Sequence, residues 1–128
     1  MTATMAIRLH VLSETRPLTA VTEWRRRLFG ALYHTDKDHS SFNGGPPILT
    51  RQYCIIQPPL DIRDEDLMGG SNAFMEAVAN LDSSGWNRDG RIRPVTAHRA
   101  ICLLGPVRDE CLELMLGVDA EATHHRIE

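Results

Sequence analysis

The chain has 128 residues, a mass of 14.4 kDa and a formal charge of -3. Length allows one domain or a piece of a larger one, and excludes an enzyme with a separate cofactor domain. The acidic balance argues against a chain-wide nucleic-acid surface, which would be basic. At 42% hydrophobic and 24% charged, the composition excludes both a disordered tail and a membrane-embedded protein. Three cysteines make no disulfide framework and point to a reducing compartment.

In chain order, Ala3 to Leu12 reads as a short helix with Ile7, Leu9, Val11 and Leu12 on its apolar face. It carries neither a secretory leader pattern nor a membrane-length apolar run. A helix at the very start wants an earlier neighbour, which suggests a chain beginning inside a larger domain. Pro17 breaks the pattern.

Thr19 to Phe42 gives the clearest helix, with Trp24, Leu28, Ala31, Leu32 and Thr35 as its expected core stripe. Glu23 falls in the first turns, where the helix dipole favours a carboxylate. Asn43-Gly44-Gly45-Pro46-Pro47 ends it. Ile48 to Leu60 should be extended or irregular, with Tyr53, Ile55 and Leu60 docking onto helices. A short helical turn is expected within Asp61–Met68, closed by Gly69-Gly70.

Ser71 to Leu81 reads as a helix capped by Ser71 or Asn72, with Phe74, Ala77, Val78 and Leu81 on one stripe. Asp82 to Pro94 is a polar loop in which Trp86 should pin the chain to the core. Thr96 to Leu116 is the last helix, with Ile101, Leu104, Val107, Cys111 and Met115 as its stripe. Pro106 should kink it or split it at Gly105, and Gly117 caps it. The sum is an all-α, irregular array of about four helices with long Pro/Gly-rich loops. It spans residues 1–117, forms part of a larger α-helical domain, and is followed by a polar tail at 118–128 that holds His124 and His125.

Few residues suggest chemistry. Arg25-Arg26-Arg27 spread over about 200° of helix surface and cannot all face one phosphate backbone. They read as solvated or acid-paired. His34, Asp36, Asp38 and His39 are metal-ligand types, and the i, i+4 spacing of His34 and Asp38 suits one edge of a zinc or iron site. No third ligand follows from the sequence, so a polar face with ion pairs through Lys37 is the plainer reading. Cys54, Cys102 and Cys111 read as buried apolar cysteines. Asp61, Asp64, Glu65 and Asp66 lack calcium-loop spacing, and neither glycine pair continues as a phosphate loop. No catalytic, metal, cofactor or nucleic-acid site residue is assigned, and the chain is not read as an enzyme.

Several segments resemble one family. Glu23-Trp24-Arg25-Arg26-Arg27-Leu28-Phe29 through Ala31-Leu32-Tyr33, then Asp36-Lys37 and Gly44-Gly45-Pro46-Pro47, are similar to the fungal-specific transcription factor domain. This is the middle homology region of zinc binuclear cluster regulators. Further matching segments are Tyr53-Cys54, Pro59-Leu60-Asp61-Ile62, Asp64-Glu65-Asp66-Leu67-Met68, Leu81-Asp82, Gly85-Trp86-Asn87, Gly90, and Arg108-Asp109-Glu110 with Cys111-Leu112-Glu113-Leu114. The likeness covers about Ile7 to Gly117.

The chain departs from the family pattern at three positions. Gly45 stands where the family has an arginine, whose loss should strip Asp36 or Asp38 of a partner. Pro106 interrupts a helix the family keeps continuous, and Gly30 weakens the signature helix by about 1 kcal/mol relative to Ala.

The resemblance implies a central fragment of a nuclear regulator of RNA polymerase II transcription. In such a regulator a separate cysteine-rich zinc cluster contacts DNA. Zinc and DNA therefore belong to a segment outside these residues, and no cofactor is assigned to this chain. The resemblance also implies possible protein partners or a homodimer and a small-molecule effector; no membrane contact is expected. Two alternatives stand beside it. One is a stand-alone helical protein-interaction module. The other is a small metal-dependent hydrolase using His34, Asp38 and His39.

Overall fold

The computed structural model describes residues 17–54 and 57–117. The expected helix at Ala3–Leu12, the docking of Ile55 and the 118–128 tail lie outside them. Among the described residues there are four helices and no strand: α1 (Ala20–Asn43), α2 (Asp64–Met68), α3 (Ser71–Ala79) and α4 (Pro94–Leu116). The all-α array read from the sequence is therefore present.

Helix α1 starts where a capping box closes. The Thr22 amide donates to the Thr19 hydroxyl at 3.3 Å, and the Thr19 amide donates to the Thr22 hydroxyl at 2.8 Å. Two otherwise orphaned donors are thus satisfied. It ends at Gly44, which adopts φ 67° and returns its N–H to the Ser40 carbonyl. Only glycine takes that conformation without a steric penalty.

Helix α4 begins two residues before its expected start, because Pro94 sits in the first turn, where its fixed φ suits a helix and its missing N–H costs nothing. The α4 helix then runs through Pro106 without splitting. Proline cannot donate to the Cys102 carbonyl, but the surrounding turns hold. Helix α3 is capped by Gly70 at φ 94°, with no side-chain cap bond, so neither Ser71 nor Asn72 serves as the cap.

The two long helices run in the same direction. Gly30 faces His98 and Cys102, while Lys37 further along α1 faces Asp109 further along α4. Parallel neighbours need a long connection, and residues 44–93 supply it. Within that crossover, Ile62, Leu67 and Phe74 form a buried cluster, against which Leu60, Ala77, Val78 and Leu81 pack together with Leu18 and Ala20 at the start of α1. The expected α3 stripe and the docking of Leu60 are both present. A second cluster joins Phe29 and Tyr33 of α1 to Leu49 and Cys54. Tyr53, expected to dock, is exposed.

The long helices depart from expectation in register. The buried face of α1 carries Glu23, Arg27, Gly30, Tyr33 and Lys37, while Trp24 and Leu28 are nearly half exposed and Ala31 and Thr35 are exposed. The buried face of α4 carries Val95, Arg99, Cys102, Gly105, Asp109 and Leu112. Leu104, Val107, Cys111 and Met115, expected inside, are exposed, and Ile101 is half-buried. The true stripe on α1 lies one residue before the expected one, a rotation of about 100°. Hydropathy marks charged residues as outward, yet here they are paired and turned in.

Candidate functional site: a buried polar seam

The most distinctive chemistry is a series of charged side chains buried between α1, α4 and the crossover. At the N-terminal end, Glu23 is fully buried. Its Oε1 accepts from Arg27 Nε at 3.1 Å and from the Leu60 amide at 2.9 Å. Burial raises the Glu23 pKa, against the lowering pull of Arg27. Arg27 also reaches Asp64 at 2.5 Å and the Ile62 carbonyl at 2.8 Å. One guanidinium thus ties α1 to the start of α2. Its neighbours Arg25 and Arg26 are only half-buried, so the arginine triplet divides between one internal cross-link and two flanking cations.

Further along, the Lys37 ammonium is fully buried. It lies 3.2 Å from Asp109 and 3.1 Å from Asp36, donates to the Leu49 carbonyl, and sits 4.0 Å from the centre of the Tyr33 ring. Asp109 is also fully buried, and its other oxygen accepts from the Arg51 amide at 2.6 Å. Asp36 accepts from the amides of Ile48 and Leu49 at 3.0 and 2.8 Å. A charge from α1, one from α4 and the loop that follows Gly44-Gly45-Pro46-Pro47 therefore share one knot.

Two more polar anchors hold the crossover. Buried Arg99 donates to the carbonyls of Pro59, at 2.6 Å, and Ser84, and lies 4.9 Å from the Trp86 ring centre. Trp86 thus pins its loop as expected, with a cation as its partner. Asp61 is buried; it accepts from the Thr96 hydroxyl at 2.7 Å, from the Asn87 amide at 3.2 Å and from the Asn87 side chain.

Of the residues singled out as metal-ligand types, His34 and Asp38 meet at 3.1 Å, while Asp36 and His39 are turned elsewhere. Asp36 turns into the knot. His39 turns to Asn43. His34 and Asp38 meet the Arg108 guanidinium, at 2.7 and 2.5 Å, and Arg108 holds the Asp38 pKa down. A protein cation therefore sits where an i, i+4 metal edge would form. Among the described residues no group of three ligand-type side chains converges. The acidic cluster also divides: Asp61 faces Thr96, Asp64 faces Arg27, and Asp66 pairs with Arg63 at 2.8 Å.

The expected loss of partners at Asp36 and Asp38 does not occur, since Lys37, two amides and Arg108 supply them. Gly30, whose cost to helix propensity the sequence shows, has a packing role. A Cβ there would lie 2.5 Å from Cys102 Sγ and 3.0 Å from His98 Nε2, so glycine permits the close approach of α4.

Cys54 and Cys102 are buried, and burial raises both thiol pKa values, that of Cys102 to about 11. Neither is poised as a thiolate nucleophile. Sequence reasoning missed Arg99 and Arg108 as cross-links. Arg108 and Asp109 stood in a quoted motif; Arg99 carried no signal beyond its register with Val95 and Cys102.

No protein-family model matches this chain, and neither a curated protein nor a solved structure shows significant similarity to it.

Proposed function

We propose that these residues are the central part of the regulatory domain of a fungal zinc-cluster transcription factor, acting in the nucleus on transcription by RNA polymerase II. One observation carries the reading. Several residues quoted for the resemblance wire the buried seam: Glu23 and Arg27, Asp36 and Lys37, Asp61, Trp86 and Asn87, and Asp109. A signature that serves to fix helices and loops suits a regulatory body rather than a reaction centre. In this role the helical array restrains or releases an activation segment, and DNA contact and zinc reside in a separate cluster. The full-length transcript around this reading frame tests it. An in-frame cysteine-rich zinc cluster upstream of Met1 is expected; a transcript that begins at Met1 contradicts it.

A second reading, a stand-alone protein-interaction module, is favoured by a different observation. Trp24, Leu28, Leu104, Val107 and Met115 are exposed on the outer faces of α1 and α4. Exposed apolar faces of this kind mark protein-interaction surfaces. Among the described residues no helix is long and apolar enough to cross a membrane.

A further inference from the structure

A cleft of about 470 Å³ opens between α2, the C-terminal end of α3 and the loop before α4. It adjoins the seam at Asp61 and Asn87 and is within the size range of small-molecule sites, about 300–1,000 Å³. Its floor is apolar, made by buried Ile62 with Ala77 and Leu81. Its rim carries Arg63, Arg88 and Arg93.

Two of these arginines are already committed. Arg63 makes a two-pronged pair with Asp66, both bonds 2.8 Å, and Arg93 pairs with Asp89. Arg88 is exposed and makes no ion pair with any described residue; its charge also reaches Asp82. The Asp82 carboxylate is itself occupied by the amides of Ser84 and Trp86, at 2.8 and 2.9 Å. The wall that carries Arg88 is preformed. Asn87 beside it is clamped to buried Asp61, and its own Oδ1 accepts from the Gly90 amide at 3.1 Å. Such pre-organisation lowers the cost of ordering a site on binding.

We propose that this cleft binds a small organic monocarboxylate, its carboxylate on Arg88 and its apolar body on Ile62, Ala77 and Leu81. Arg88, the lining arginine with no ion pair to a described residue, suits a single carboxylate. Across the whole lining three arginines are balanced by Asp61, Asp66 and Asp89, which leaves no net positive charge to hold a dianion such as phosphate. This inference stands on the cleft and does not need the transcriptional reading.

Equilibrium dialysis of the full chain against phenylacetate and hexanoate tests it, with benzylamine and inorganic phosphate as comparison probes. Saturable binding of either acid is expected, with neither benzylamine nor phosphate competing. Arg88→Gln removes one charged hydrogen-bonding partner and should weaken binding by about tenfold or more. Ala77→Leu fills the floor and should abolish binding while the helical circular dichroism is kept. Arg51→Gln, on the opposite loop, should bind as the wild type does. Absence of saturable uptake of both acids, equal competition by phosphate, or unchanged binding in both Arg88→Gln and Ala77→Leu overturns the proposal.

Discussion

At the scale of single residues, paired charges do what apolar side chains do in most cores. Lys37 and Asp109 are each fully enclosed and lie 3.2 Å apart. Truncating one partner leaves an uncompensated buried charge, so Lys37→Met or Asp109→Leu should each cost about 3–5 kcal/mol in urea unfolding. The double replacement should cost clearly less than the sum, because neither charge is then stranded. Glu23 gives a pH signature. Its folded pKa is raised above the ordinary 4.5, chiefly by burial. Stability from this group is fully present below pH 4.5 and is lost as pH rises through the raised value. The urea midpoint should therefore fall as pH rises above about 4.5, and Glu23→Gln should flatten that fall. Gly30→Ala gains helix propensity of about 1 kcal/mol, yet its Cβ meets Cys102 Sγ at 2.5 Å. The thermal midpoint should drop, by the equivalent of about 1–3 kcal/mol for overpacking, and Cys102→Ala in the same chain should relieve the clash.

At the scale of helices, Pro106 lies inside α4 and withholds an N–H from the Cys102 carbonyl. Pro106→Ala should restore that bond and raise stability by about 1–3 kcal/mol, read from the urea midpoint. The helices were legible in the sequence because their ends are marked by chemistry that acts locally. Thr19 caps, Gly44 takes the left-handed turn, and Gly69-Gly70 separates α2 from α3. The α3 stripe was legible for the same reason that hydropathy works: Phe74, Ala77, Val78 and Leu81 are apolar and turned inward. Register failed on α1 and α4 because a pairing partner is a tertiary fact. Nothing local to Arg27 says that Asp64 will meet it, and nothing local to Lys37 says that Asp109 will. The i, i+4 pairing of His34 with Asp38, at 3.1 Å, was legible, but their partner Arg108 was not, since it comes from a helix some seventy residues on.

At the scale of the whole molecule, the long helices are turned so that charge lines their shared seam and apolar residues face outward. Leu104, Val107 and Met115 are each more than half exposed, and Trp24 and Leu28 nearly half. That arrangement suits helices embedded in a larger α-helical domain, whose other elements would cover the outer faces. The most direct measurement is sedimentation of the isolated chain together with binding of an exposed-hydrophobe dye and a thermal scan. The account predicts reversible self-association, a strong dye signal and a weak, broad transition. Replacing Leu28, Leu104 and Val107 by Glu should abolish association and dye binding while helicity is kept. A monomeric wild-type chain that excludes the dye and unfolds in one sharp transition would contradict it.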